Sequence, residues 1–174
     1  EATGNWTKKN NSTPSIVLGH DCRFAGEMFA ETAAKVFASQ GIKVLLAKDF
    51  VSTPMVSLGA VHYNTSLGVV LTASHNPPSY NGYKLKGGFG GPLSPEHVQE
   101  VEDIISDTVN INVASLSIEE FVKQGLIDDD EEKGDQDQIG CHDRDIDHLH
   151  CLQEQLPHAG PLKHGFCDNG ERDQ

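Results

Sequence analysis

Three short apolar segments constrain the fold of this chain more than any other feature. They are residues 15–19 (Ser-Ile-Val-Leu-Gly), residues 42–47 and residues 67–72 (Leu-Gly-Val-Val-Leu-Thr). Each is long enough for a strand and too short for a buried helix. Residues 15–19 and 67–72 are nearly continuous apolar runs, which are typical of strands that are covered on both faces, and residues 42–47 are a further strand candidate.

The segments between these strands carry helix signals. Phe24–Gln40 has apolar residues at helical spacing and is stopped by Gly41, while Thr53-Pro54 places a proline in the first turn of a second helix that reaches about Tyr63. Ser94 is the expected N-cap of a further helix that runs to about Ser106. Strands separated by such helices predict an α/β fold with a mainly parallel sheet and helices on both faces.

In sheets of this kind, ligands bind beyond the carboxyl ends of the strands. The rule points to two loops of this chain. One follows Leu18 and holds Asp21 and Arg23, and the other follows Thr72. We therefore expect the functional residues in these two loops.

The second loop reads Thr-Ala-Ser-His-Asn-Pro-Pro-Ser-Tyr-Asn-Gly-Tyr-Lys over residues 72–84. Pro77 and Pro78 restrict the backbone that follows Ser74, so its hydroxyl is expected to be held in place. Asn81-Gly82 predicts a tight turn that returns the chain towards the serine. The predicted loop thus combines a hydroxyl, an imidazole and an ammonium group: Ser74, His75 and Lys84.

Two common chemistries are excluded by the residues themselves. The residues around Ser74 do not form Gly-x-Ser-x-Gly, so the serine is not on a nucleophile elbow. The glycine-rich segment at residues 87–91 is not followed by Lys-Ser/Thr, so it is not a P-loop. We interpret that segment as a turn-rich connection.

Thr72-Ala-Ser-His-Asn-Pro77 closely resembles the active-site loop of the α-D-phosphohexomutase superfamily, the phosphoglucomutase/phosphomannomutase group. Asn81-Gly-Tyr-Lys84 downstream and Gly19-His-Asp-Cys-Arg23 upstream occur in the same order and at near-matching spacing. The resemblance extends from about Trp6 to Ile127. It implies the fold of the family's first domain, which carries the phosphoserine, and we place that domain at residues 1–127.

The resemblance also implies an activity and a set of roles. Ser74 would be a phosphoserine that exchanges its phosphoryl group with a hexose monophosphate (glucose or mannose) through a hexose 1,6-bisphosphate. Lys84 would act as general acid and base, and Arg23 and His75 would stabilise the transferring phosphoryl group. Asn76 and Lys86 are the candidate substrate-binding residues.

Mg²⁺ is the cofactor that the resemblance implies. In the family it is held by the serine phosphate, here on Ser74, and by three aspartates of the second domain. Family members have four domains, and their first strand carries a Gly-Thr type motif that we do not find before Trp6. The expected partners are therefore hexose phosphates and the downstream domains of the same enzyme. The isolated chain is expected to be inactive, and the alternative is a non-catalytic phosphosugar-binding or interaction module.

Charge divides the chain near Asp128. Residues 1–127 carry 12 acidic and 9 basic side chains, whereas residues 128–174 carry 14 and 4. A body without a basic stripe argues against nucleic-acid binding. No segment is long and apolar enough to cross a membrane, and the first ten residues lack the apolar region of a signal peptide, so we expect a cytoplasmic protein without membrane contact.

Residues 128–174 form an acidic segment without sustained periodicity, and we expect a solvated tail. It also contains a group of histidines and cysteines and an Asp-x-Asp-x-Asp sequence at residues 143–147. The spacings match no common zinc motif, so a metal site in the tail is the less favoured alternative. A frameshift or a truncated gene product would also explain the change of composition.

Overall fold

The computed structural model describes residues 1–108 and 110–128. These residues belong to one compact unit, Glu1–Cys141, and the second unit, His142–Gln174, lies outside them. The predictions made for the acidic tail and its metal alternatives therefore lie outside the described residues, except for Asp128 at its start. No helix in the described ranges has the length and apolar character that a membrane span requires.

Ten regular elements and a 3-10 turn make up the described chain. In order they are α1 (Ala2–Asn10), β1 (Ser15–His20), α2 (Gly26–Ser39), β2 (Lys43–Leu46), α3 (Thr53–His62), β3 (Leu67–Leu71), β4 (Tyr83–Gly87), α4 (Pro95–Glu102), a 3-10 turn (Val113–Ser115), α5 (Ile118–Lys123) and β5 (Ile127–Asp128).

The strands form one five-stranded sheet in the order β4-β3-β1-β2-β5. β1 pairs in parallel with β2 and β3, and β2 pairs in parallel with β5. Only β4, at one edge, runs antiparallel to its neighbour β3. The predicted α/β fold with a mainly parallel sheet is confirmed.

Helices cover both faces of the sheet, and the side-chain alternation of β1 shows how. Ile16 and Leu18 lie in a cluster formed with α1, α2 and α4, whereas Val17 between them lies in the cluster formed with α3. Successive side chains of a strand point to opposite faces. β1 is therefore buried on both sides, as its continuous apolar sequence predicted.

The five elements from β1 to β3 follow the sequence prediction within a few residues. Ser94 caps α4 as predicted, because its hydroxyl accepts the His97 N–H at 3.4 Å. The predicted end of that helix near Ser106 is wrong, since α4 ends at Glu102. Ile104 and Ile105 are exposed, so no buried contact extends the helix past its last core residue, Val101.

Four elements were not predicted: α1, β4, α5 and β5. α1 and β4 carry few strongly apolar residues, and β4 alternates Tyr83 and Leu85 with two lysines. β5 is only two residues long and includes Asp128, where we expected the tail to begin. Ile127 of β5 is buried in the main hydrophobic cluster, and this contact stabilises a strand that is too short to be stable by itself.

Candidate active site

The site lies where the chain leaves two neighbouring strands in opposite directions. From β1 the chain continues to β2 on one side, and from β3 it continues to β4 on the other side. This is the topological switch point of the sheet, where open α/β folds bind their ligands. Two loops leave the carboxyl edge there: residues 21–25 after β1, and residues 72–82 after β3, called the serine loop below.

Asp21 fixes the conformation of the first loop. Its carboxylate accepts the backbone N–H of Arg23 at 3.0 Å through Oδ1 and pairs with the Arg23 Nε at 3.2 Å through Oδ2. An aspartate that accepts the N–H two residues ahead forms an Asx turn, which orders a loop locally. The arginine is thereby directed away from solvent, and only 13% of its side chain is exposed.

The guanidinium of Arg23 reaches across to the serine loop and donates four hydrogen bonds to backbone carbonyls. Nη1 donates to Pro77 at 2.9 Å and to Tyr80 at 3.0 Å. Nη2 donates to Ser74 at 2.8 Å and to Asn76 at 2.7 Å. The two loops that the sequence singled out are therefore joined by one side chain.

Ser74 lies at the start of the serine loop in a left-handed backbone conformation, with φ of 58°. Such a conformation is uncommon for a residue other than glycine, and it costs about 1–3 kcal/mol that surrounding contacts must offset. The Ser74 N–H donates to the Thr72 hydroxyl at 2.9 Å, and its carbonyl accepts from Arg23. The backbone of Ser74 is thus held on both sides, while its own surface is exposed.

His75 and Asn76 follow Ser74 on the exposed part of the loop. The side chains of both make no hydrogen bond within the described residues. Two hydrogen bonds to the backbone hold this segment: the Asn76 N–H donates to the Ala73 carbonyl at 3.0 Å, and the Asn76 carbonyl accepts from Arg23 at 2.7 Å. Both side chains are therefore free to meet a ligand at the surface.

Lys84 and Lys86 lie on β4, and the strand register distinguishes them. Lys84 pairs with Val70 and Lys86 with Gly68, so Lys84 lies two residues closer to the carboxyl end of β3. Two residues span about 7 Å along a strand. Lys86 is half-buried, and its Cβ lies against Gly68 on the face of the sheet that α3 covers. Register therefore favours Lys84 as the lysine nearer Ser74, although no hydrogen bond joins the two in the described chain.

The tight turn predicted at Asn81-Gly82 is wrong. The chain reverses earlier, through turns at residues 74–75 and 78–79. Gly82 instead passes close to β3: its carbonyl accepts the Thr72 N–H at 2.9 Å, and a Cβ at this position would lie 2.7 Å from the Thr72 carbonyl oxygen. The glycine serves a close approach of two backbones rather than a turn.

Tyr83, next to Lys84, is the ionisable group near the site with a clear pKa shift. Desolvation raises the pKa of its hydroxyl to about 12, and a hydrogen bond with the Thr3 side chain opposes this only in part. Tyr83 is on the opposite face of β4 from Lys84, because neighbouring side chains of a strand alternate. It therefore anchors β4 to α1 rather than contributing to the loop.

The described residues do not supply a complete Mg²⁺ site. In residues 1–108 and 110–128, no three His, Cys, Asp or Glu side chains come together. Asp21, the acidic residue of the site, is already paired with Arg23. Mg²⁺ needs near-octahedral oxygen coordination, so this part of the chain does not fit the cation by itself.

Sequence reasoning missed the contribution of Thr72 and the role of Asp21. Both act over a spacing of two residues: the Thr72 hydroxyl on the N–H of Ser74, and the Asp21 carboxylate on the N–H of Arg23. Asp and Thr side chains commonly form such turns with the backbone two residues ahead. The pattern of Asp or Thr two residues before a site residue was therefore the available signal.

Comparison with known families settles which group of proteins carries this arrangement. Residues 1–111 match the family model described as phosphoglucomutase/phosphomannomutase, alpha/beta/alpha domain I. The chain belongs to the phosphoglucomutase/phosphomannomutase family. The match covers α1 to α4 and includes both loops of the candidate site, so the predicted family resemblance is confirmed.

Similar proteins agree with this assignment. A protein of Staphylococcus haemolyticus named phosphoglucomutase is 34% identical over 125 residues, which are 71% of this chain and 23% of that protein. The chain thus spans about a quarter of the length of the curated relatives it matches.

Solved structures show the same fold. A protein of Thermus thermophilus, provisionally named a phosphomannomutase, superposes with a TM-score of 0.62 at 36% identity, over 63% of this chain and 25% of that one. The parafusin (phosphoglucomutase) of Paramecium superposes with a TM-score of 0.53 at 21% identity, over 59% and 20%. At that lower identity the second likeness concerns the fold alone.

Proposed function

We propose that this chain is the phosphoserine-bearing domain of an enzyme that interconverts hexose 1-phosphate and hexose 6-phosphate. The observation that carries the proposal is Ser74, exposed at the switch point of the sheet on a loop whose backbone is fixed by Arg23 and Thr72. Phosphoryl transfer asks chiefly for alignment of the reacting oxygens and for nearby positive charge. Fixing of the Ser74 backbone supports the first requirement, and Lys84 on β4 is the candidate source of the second.

In the proposed step, the phosphoryl group moves from Ser74 to a free hydroxyl of a hexose monophosphate. A bond forms between phosphorus and the sugar oxygen, and the bond between phosphorus and the Ser74 Oγ breaks. The proton leaves the sugar hydroxyl and ends on the Ser74 Oγ, with Lys84 as its candidate carrier. The product is a hexose 1,6-bisphosphate, which returns its other phosphoryl group to Ser74 by the reverse step.

The other site residues take supporting roles in this proposal. His75 adjoins Ser74 and would stabilise the transferring group, while Asn76 and Lys86 would bind the sugar phosphate. Arg23 has a different set of contacts, and its role is argued in the next subsection. We derive no step through Mg²⁺, because its coordination is incomplete in the described residues.

Turnover by the isolated chain is not expected, since a domain that spans about a quarter of its relatives supplies only part of a substrate cleft. The proposal is therefore tested on Ser74 itself. The purified chain is incubated with hexose 1,6-bisphosphate and Mg²⁺, and its intact mass is followed. We expect one added phosphoryl group, mapped to the peptide of residues 67–84 and absent from Ser74→Ala.

Ser79→Ala is the matched control, because Ser79 is an exposed serine of the same loop and should leave the modification unchanged. Lys84→Met should slow phosphorylation more than Lys86→Met, as the register of β4 implies. Phosphate on Ser79, or no phosphate on a folded chain after long incubation, would refute the proposal and favour a non-catalytic phosphosugar-binding module.

A further inference from the structure

The terminal nitrogens of Arg23, Nη1 and Nη2, have no hydrogen-bond donor left for a phosphoryl group in this structure. A guanidinium carries five N–H groups and cannot act as an acceptor. Nε is paired with Asp21, and Nη1 and Nη2 each donate to two backbone carbonyls of the serine loop. Each contact is 3.2 Å or shorter, so the N–H groups of Nη1 and Nη2 are used in four hydrogen bonds and Nε is held in an ion pair.

These contacts are placed where the loop needs support. One of the four carbonyls belongs to Ser74, whose left-handed backbone is unfavourable without external contacts. The Thr72 hydroxyl holds the N–H of the same residue. Arg23 and Thr72 therefore act on the two peptide groups that flank the Ser74 Cα, and those two groups decide where its side chain points.

We propose that Arg23 is a positioning residue, which with Thr72 imposes the left-handed backbone of Ser74, and not a ligand of the transferring phosphoryl group. The part of the proposal that concerns the loop conformation depends only on the contacts of Arg23 and Thr72. The consequence for phosphoryl transfer rests on the function proposed above. A lysine could not replace Arg23, because a single ammonium nitrogen cannot reach four carbonyls and a carboxylate in this planar arrangement.

The first experiment measures the conformation of the loop. Amide hydrogen exchange is followed in the full chain at Ser74, Asn76 and Tyr80, whose N–H groups are all hydrogen-bonded within the loop. Arg23→Ala and Arg23→Lys should both speed exchange about tenfold or more, since several charge-assisted hydrogen bonds are lost. Lys9→Ala, which removes an exposed cation at the end of α1, should leave the loop unchanged.

Thr72 gives an independent pair of variants. Thr72→Val keeps the shape of the side chain but removes the hydroxyl, so exchange at the Ser74 amide should accelerate. Thr72→Ser restores the hydroxyl and should restore protection. If Arg23→Ala does not fold, Arg23→Lys and this pair still decide the proposal. A serine loop in Arg23→Lys that is as protected as in the unchanged chain would overturn it.

The second experiment separates positioning from direct contact. The rate of Ser74 phosphorylation by hexose 1,6-bisphosphate is measured in the same variants. Positioning predicts that Arg23→Lys is as slow as Arg23→Ala, and that Thr72→Val is also slowed although it touches no phosphate. Direct contact predicts that Arg23→Lys keeps most of the rate because it keeps the charge. That result would refute the positioning role even if the loop exchanges faster.

Failure of the proposed function has a different signature. If the unchanged chain accepts no phosphate while its loop amides respond to Arg23 and Thr72 as expected, the phosphotransferase proposal fails and the positioning of Ser74 stands. If the chain accepts phosphate while its loop amides ignore both residues, the positioning role fails and the phosphotransferase proposal stands.

Discussion

β3 and the serine loop are consecutive in the chain, and different forces hold them. All five residues of β3 are buried, and the strand is paired on both sides by β1 and β4. Every residue of the serine loop from Ser74 to Tyr80 is exposed, and its shape depends on hydrogen bonds from a few donors. Stability is therefore distributed over many contacts in the strand, whereas the loop depends on single side chains.

The strongest test of this difference between strand and loop is a substitution that creates a cavity in the core. Phe37 of α2 is 2% exposed and lies in the cluster that covers one face of the sheet. Phe37→Ala should lower the free energy of unfolding by about 3–5 kcal/mol, measured by urea denaturation. Phe24→Ala is the matched control, because Phe24 is 92% exposed. Equal losses in the two variants would show that burial does not decide stability here.

Gly82 tests the junction between the two regions. Gly82→Ala places a Cβ 2.7 Å from the Thr72 carbonyl oxygen, and such a clash costs about 1–3 kcal/mol. Gly41→Ala is the control variant. The φ of Gly41, 77°, is strained for alanine, but an added Cβ there would have no atom outside its chain neighbours within 4 Å. Only Gly82→Ala should also speed amide exchange in the serine loop. A loop unaffected by Gly82→Ala would mean that strand and loop are independent.

A substitution at Ser94 changes the stability of the folded body at α4, away from the serine loop. The Ser94 hydroxyl caps α4 by accepting the His97 N–H, and Ser94→Ala should lower the free energy of unfolding by about 1 kcal/mol. Ser94→Asp keeps an acceptor at the cap and should retain most of the stability. Thermal unfolding of the three proteins gives the comparison, and a loop whose exchange followed the cap would contradict the separation of the two regions.

The smallest effect concerns alkaline pH. The pKa of Tyr83 is raised from 10.0 to about 12 in the folded protein, so the folded state keeps its proton where the unfolded state loses it. The corresponding stability is present below pH 10 and is lost as the pH rises towards 12. Because 46% of Tyr83 is exposed, solvent screening keeps the effect below about 1 kcal/mol. Urea titrations across this range should show the decline, and Tyr83→Phe should remove it.

The same division separates what the sequence could predict from what it could not. Continuous apolar runs predicted β1 and β3, because burial on both faces leaves a pattern in the strand itself. β5 has no such pattern, since its two residues form a strand only by pairing with β2. Local sequence predicts elements that carry their own burial signal.

The site shows a similar limit. The residues after β1 and β3 could be expected together, because the carboxyl ends of parallel strands share an edge. The contacts of Arg23 could not, since they are made to carbonyl oxygens that every residue possesses. Only the path of the backbone decides which carbonyls converge, and the misplaced turn at Asn81-Gly82 shows that this path was not readable from the residue types.

The pairing of β4 with β3 limits how this segment can change in length during evolution. Lys84 and Lys86 share one face of the sheet, and Leu85 packs into the core on the other. Inserting or deleting one residue just before Lys84, with the pairing to β3 kept, would move the side chains of β4 from Lys84 onward to the opposite face. Both lysines would then enter the apolar cluster. Changes of an even number of residues preserve the alternation, so changes in length at this point are restricted to even numbers of residues.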